Sequence, residues 1–281
     1  MPGPTIDQAF ITKFNEDLHL TFRQKASKFR GLVRTDGQVN GSSVRFYKLG
    51  FLTASAKARN GEIPAQDPDM SFVTATMADR FTRADIDQLD LTKLNVDVRS
   101  GYIQAAASAF GNETDDTIIN AMSAGATTAA SGIGTSWTRN NALIAGQILD
   151  QNNVPDDGMR FCAVTPAGWA QLMTIDQFVR SDYIGPEDLP FRRMGLEVRS
   201  WNRFHWFQSP RLPGVGGTTS TNFFWHYRAV GHGINAEVQT DWQWEAKRWN
   251  WVFAGAMSMG ATVIDPTGAY KVTINDQTVL P

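Results

Sequence analysis

Cysteine, histidine and neighbouring acids are the side chains with which a chain of this size would do covalent or metal chemistry, and this sequence holds few of them. Cys162 is its single cysteine, which leaves no intrachain disulfide and no cysteine-based zinc site. It stands in the apolar run Arg160-Phe161-Cys162-Ala163-Val164, where a buried, inert thiol is expected rather than a nucleophile. The four histidines are His19, His205, His226 and His232. His226 and His232 share a strand-to-turn segment with no cysteine nearby, which does not match the spacing of zinc ligands. Hydrogen-bonded or exposed imidazoles are expected there, and a hydrolase built on either is the weakest of three functional readings. Asp115 and Asp116 are adjacent, so on a helix they point to different sides and suit paired acid–base work poorly.

The larger catalytic constellations are missing from the sequence. There is no Gly-x-x-x-x-Gly-Lys-Ser/Thr phosphate loop and no His-Glu-x-x-His, nor a Gly-x-Ser-x-Gly elbow. Gly132-Ile133-Gly134 and Gly214-Val215-Gly216-Gly217 lack the strand and helix of a dinucleotide fingerprint and read as mobile loops. No enzyme, cofactor or metal is expected. The sharpest local pattern is aromatic: Trp242-Gln243-Trp244-Glu245 and Trp249-Asn250-Trp251-Val252-Phe253. Alternation places Trp242 and Trp244 on one face of a strand and Trp249, Trp251 and Phe253 on one face of the next, with Glu245-Ala246-Lys247-Arg248 as the turn. Core or interface packing is the first reading of this ladder. A platform stacking on sugar rings, hence a carbohydrate-binding module using Trp242, Trp244, Trp249 and Trp251, is the second.

Composition narrows the field. The chain has 281 residues, 42% of them hydrophobic and 19% charged, below the roughly 25% charged of an ordinary domain. Either the core is large or part of the surface is hidden against other subunits. A net charge of −2 argues against a broad basic face for nucleic acid, though not against a local basic segment. Met-Pro-Gly-Pro-Thr does not read as a signal peptide, and no run approaches a membrane span, so no membrane partner is expected.

The elements that would position these residues follow the apolar spacing. Phe10, Phe14, Leu18 and Phe22 recur every four residues and allow one amphipathic helix. The basic run Arg23-Gln24-Lys25-Ala26-Ser27-Lys28-Phe29-Arg30 follows, and residues 1 to about 40 are too poor in apolar side chains to make a core. Residues 43–53 and 70–81 read as the two strands of a long hairpin with a wide tip, which needs a surface to lie on. The spacing predicts a helix over 89–110, ended by Gly111, and a second helix capped by Thr114 with Asp115 and Asp116 in its first turn. Residues 125–137 read as a flexible loop. A helix at about 139–152, a turn at Pro155-Asp156-Asp157-Gly158 and a buried strand at 159–164 follow, and Thr165-Pro166 starts another helix. Strands are predicted at 194–199, 204–208, 222–228, 236–244, 248–254 and 261–274. The whole is α+β.

Three stretches resemble the major capsid proteins of tailed bacteriophages. They are Phe81-Thr82-Arg83-Ala84-Asp85-Ile86-Asp87, Ala107 to Ile119, and Gly260 to Val272. The order of elements over nearly the whole chain resembles that family too. The resemblance implies the Hong Kong 97-type fold, with an N-terminal arm at 1–42 and an extended hairpin loop (E-loop) at 43–81. A peripheral domain with a spine helix would occupy 82–137, an axial domain 138–221, and a return to the peripheral sheet 222–281.

The function it implies is structural. Copies would assemble as pentamers and hexamers into an icosahedral shell around double-stranded DNA, made in the host cytoplasm and ending in the virion. A separate scaffolding protein, a portal and decoration proteins are the further partners it implies, with shell maturation after DNA entry. Inter-subunit contacts are expected at Arg23, Lys25, Lys28 and Arg30 in the arm and at Lys57, Arg59 and Glu62 in the hairpin. Some relatives crosslink lysine to asparagine. Lys57 lies near the tip, but with no partner or acid matched, no crosslink is predicted.

Overall fold

The computed structural model describes residues 27–35, 38–89, 98–129, 136–179 and 198–277. Strands β1 (Gln38–Asn40), β2 (Ser43–Leu49) and β3 (Met70–Thr76) come first, then β4 (Ala78–Asp87) and the long helix α1 (Val98–Gly125). After β5 (Thr127–Thr128) come α2 (Arg139–Gln151), β6 (Arg160–Val164), α3 (Pro166–Leu172) and α4 (Asp176–Val179). The strands that follow among the described residues are β7 (Val198–Trp201), β8 (Phe204–Gln208), β9 (Ser220–His226), β10 (Val230–Glu245), β11 (Asn250–Val263) and β12 (Ala269–Ile274). The strands form sheets in the orders β1-β2-β3, β10-β11-β4 and β5-β12-β9-β6-β8-β7. Helices and mostly antiparallel strands are mixed without a βαβ repeat, an α+β fold.

The chain divides into two units, the first containing residues 78–115 and 234–259. Here β4 and β11 pair antiparallel from Asn250↔Asp87 to Met259↔Ala78. Ala106 and Phe110 of α1 pack with Phe253, Met257 and Met259 of β11. Helix α1 is continuous, where two helices split at Gly111 were predicted. Thr114 therefore caps nothing, and its Oγ1 donates to the Phe110 carbonyl one turn back. Glycine inside a helix costs only about 1 kcal/mol. Burial of Phe110 before Gly111, and of Ile118, Ile119 and Met122 after it, opposes that cost.

Gly255 and Gly260 likewise do not interrupt β11, although separate strands at 248–254 and 261–274 were predicted. A Cβ at 255 would lie 2.9 Å from the Phe110 ring, and one at 260 would lie 2.3 Å from the Thr76 carbonyl oxygen. These glycines mark close approach rather than a turn.

The second unit contains residues 30–77, 116–233 and 260–281. Its core lies between the six-stranded sheet and α2 to α4, with Leu149, Cys162, Val164, Leu172, Phe178, Trp206, Phe224 and Ile274 among its members. The helix starts predicted at about 139 and at Thr165-Pro166 hold. Thr138 Oγ1 accepts from the Asn141 N–H at 3.3 Å, and Thr165 Oγ1 accepts from the Gly168 N–H at 3.0 Å, with Pro166 at the first turn of α3. Thr127 and Thr128, predicted as loop, pair in parallel with Tyr270 and Lys271 of β12.

Gly214 to Gly217, also predicted as a mobile loop, form a tied turn. The Gly217 N–H donates to the Gly214 carbonyl at 2.9 Å, and Asp276 Oδ2 accepts from the Gly216 N–H at 3.0 Å. The spacing of glycines shows the turn, while the acid that holds it lies some 60 residues on.

Candidate assembly surfaces

The hairpin β2–β3 has two unlike faces. Its register runs from Ser43↔Thr76 to Leu49↔Met70, so alternate residues share a face. Val44, Phe46 and Ala75 are buried with Ile264, and a Cβ at Gly231 or Gly233 would press into Phe46 or Val44. The base of the hairpin thus sits on its own chain, with Lys48 reaching Asp265 at 2.9 Å. Tyr47, Leu49, Met70 and Phe72 on the other face are exposed. Tyr47 and Phe72 meet as tilted rings, and Arg45 lies over the Phe72 ring.

Beyond the strands the tip is bare. Phe51 is 94% exposed and Ile63 77%, and Lys57, Arg59 and Glu62 are all exposed there. The paired strands are shorter than the predicted 43–53 and 70–81, since β3 stops at Thr76 and β4 joins the other sheet. An apolar face and tip open to water on a strand hairpin need another surface.

The arm presents a different picture from the one predicted. Arg23 and Lys25 lie outside the described residues. Lys28 and Arg30 begin a segment seated on its own chain, not one lacking intramolecular support. Asp115, wholly buried, accepts the N–H of Lys28 at 3.2 Å and of Phe29 at 3.1 Å, with the Ser27 hydroxyl bonded to it as well. Phe29 and Val33 are fully buried, and the Trp225 indole donates to the Leu32 carbonyl at 2.9 Å. The Arg34 N–H donates to Val230 and the His232 N–H to Arg34. Asp115 was expected in a first helical turn. Its role in holding residues 27–29 left no signal in the sequence, since the groups it binds lie 86 to 88 positions away.

The tryptophan ladder forms as predicted, but as packing. Trp242 lies 5.0 Å from Phe253, and Trp244 meets Trp249 and Trp251 edge-on. The Trp251 indole donates to Gln88 Oε1. Rings meeting at steep angles across β10 and β11 make no coplanar platform for sugars, and nothing supports the carbohydrate-binding reading. Trp249 takes a φ of 54° at the turn, so it belongs to the hairpin's end rather than to a strand face.

Among the described residues, those suited to chemistry are buried or tied into structural bonds. His226 Nε2 lies 3.0 Å from Asp157 Oδ1 and its Nδ1 accepts the Arg228 N–H, so a neutral ring carries its proton on Nε2. Desolvation, the largest single influence, would raise the Asp157 carboxyl, but the His226 hydrogen bond and charge together with backbone N–H groups, that of Met159 among them, hold the group below the usual range. Burial pushes the Cys162 thiol well up, away from thiolate. Asp116 pairs with Arg211, apart from Asp115. Among the described residues no group of three His, Cys, Asp or Glu gathers to hold a metal. Among them, too, no helix is long and apolar enough to cross a membrane.

Comparison with known proteins completes the picture. A family model described as phage capsid protein matches residues 6–276. The chain is similar to the capsid structure of Cyanophage P-SCSP1u, at 18% identity and a TM-score of 0.70 over 97% of this chain and 95% of that one. A structure of Mycobacterium phage Che8 gives 15% identity and a TM-score of 0.66 over 88% and 90%. The capsid of Ralstonia phage GP4 gives 11% and 0.67 over 95% and 95%. At these identities the likeness establishes the fold. No curated protein matches.

Proposed function

This chain belongs to the phage capsid protein family and is a structural subunit of the virion shell, and we propose that it closes into that shell as pentamers and hexamers held by its hairpin and arm. The single observation that carries this reading is the hairpin, anchored by Phe46 and Val44 on one face and bare at Tyr47, Leu49, Met70 and Phe72 on the other. In a closed lattice such a face is covered by the next copy, and modest contacts are multiplied by symmetry. Lys57, Arg59 and Glu62 at the tip, and Arg23, Lys25, Lys28 and Arg30 in the arm, supply polar contacts at the rim. The shell encloses double-stranded DNA, is built in the host cytoplasm on a separate scaffolding protein, and carries a portal and decoration proteins. Its work is mechanical, with no catalytic step.

The anchoring of Phe29 and Val33 sets where the arm is cut in a test. Removing residues 1–34 would strip buried side chains from the subunit, so the deletion ends at residue 26. That shortened chain is expected to melt as the full chain does and to fail to form closed particles under the electron microscope. Normal shells from it would remove the arm from this reading. A shortened tip, with residues 54–65 replaced by a two-residue turn, tests the hairpin in the same way.

A further inference from the structure

We propose that Gln66 is the positioning residue of the hairpin tip, its side-chain amide standing in for a backbone rung that closes residues 54–65 into the shape a neighbouring copy meets. The inference rests on the hairpin being an assembly contact.

Strand pairing ends at Leu49↔Met70, and one more backbone bond follows, from the Gly50 N–H to the Asp69 carbonyl at 2.7 Å. Three residues further along the same register, Gln66 reaches Thr53. Its Oε1 accepts the Thr53 N–H at 2.9 Å, and its Nε2 donates to the Thr53 carbonyl at 2.6 Å. One amide thus satisfies both main-chain groups of Thr53, as a paired strand residue would. Only a side chain with a donor and an acceptor at its end does this: a glutamate has no donor when ionised and a lysine no acceptor.

The bonds are exposed, so water competes for them and they contribute little to the stability of a lone subunit. Their effect falls on the tip. Inside the clasp the Gly61 N–H donates to the Ala58 carbonyl at 2.9 Å, and Asn60 takes the left-handed φ of 63° that asparagine tolerates. Ile63 lies within this closed tip and Phe51 just outside it, both bare to solvent. A tip ordered beforehand spends less conformational entropy on docking.

Capsomer formation by the purified full chain, followed by native mass spectrometry over a range of subunit concentrations, tests this. Gln66→Ala and Gln66→Glu are expected to raise the concentration needed for pentamers and hexamers by about tenfold, the entropy of ordering a loosened tip on docking, with the melting temperature of the subunit unchanged. Thr53→Ala keeps both main-chain groups and is expected to assemble normally, while Thr53→Pro, which lacks the N–H, is expected to behave as Gln66→Ala. Ile63→Asp tests the underlying contact. If it fails to assemble while Gln66→Ala assembles at the normal concentration, the clasp is overturned and the hairpin contact stands. If both assemble normally, the hairpin reading itself falls. A lowered melting temperature for Gln66→Ala overturns the positioning role, since the amide would then be holding the subunit's own fold.

Discussion

The buried carboxylate of Asp115 accepts the main-chain N–H of Phe29 at 3.1 Å, across 86 positions of sequence. Lys28 and Ser27 donate to the same group. Asp115→Ala is expected to lower unfolding free energy by about 1–3 kcal/mol, the usual consequence of depriving buried donors of an acceptor. Urea unfolding measures it, and an unchanged midpoint would show the segment to be held by Phe29 burial alone.

Arg203 stands in a two-residue turn between β7 and β8 with φ 67°, beside Asn202 at 49°. Such turns want glycine or asparagine. The Arg203 guanidinium hydrogen bonds to Asp150 and donates to Asp156 at 3.1 Å, exposed pairs worth roughly 0–1 kcal/mol each. Arg203→Gly therefore gives back in backbone ease most of what it loses in pairing and is expected to be near neutral. Arg203→Ala loses the pairs and keeps the strain, and should unfold at lower denaturant by about 1 kcal/mol.

Asp150 is expected to contribute to stability against acid. Desolvation would raise its carboxyl, but hydrogen bonds from Arg160 and Arg203 outweigh this and hold it below the usual range. Asp265 is lowered likewise, by Lys48 and Thr267 against its own desolvation. A folded value below the unfolded value of about 3.9 means the stabilisation is complete above that pH and lost as pH falls through the folded value. Unfolding scans from pH 6 to 2 should show a steep loss below about pH 4, shallower in Asp150→Asn.

Gly233 and Gly260 are expected to tolerate no side chain. A Cβ at 233 would lie 2.4 Å from Val44, and one at 260 2.3 Å from the Thr76 carbonyl oxygen. Alanine at either site should destabilise by about 1–3 kcal/mol and unseat the hairpin base, read as faster hydrogen exchange in β2 and β3. Gly158→Ala, with open space around it, carries only the strain of its φ of 76°.

Features set by neighbours in sequence were legible without the fold. Thr165-Pro166 caps a helix where expected, because a cap is decided within three or four residues. The tryptophans alternate across β10 and β11 because period two is a property of the strand itself. Gly111 misled because burial on both sides of it opposes its cost in a helix, and the break predicted between 254 and 261 misled because Gly255 and Gly260 are sites of close approach. Glycine marks a turn or a close approach with the same letter, and only the partner across the gap distinguishes them. The exposed hairpin tip was legible from its turn chemistry, but not its two faces, which depend on Gly231, Gly233 and Ile264 far along the chain.

The sequence alone determined the broad succession of hairpin, helices and strands, the poverty of catalytic groups and the α+β class, since each rests on local pattern or on counting. Tertiary structure decided that Asp115 grips the end of the arm and that Phe46 roots the hairpin while Phe72 stays bare. It also set Thr53 opposite Gln66. These pairings join residues with no periodic relation, and their energies appear only once folding has brought the groups within hydrogen-bond or van der Waals reach.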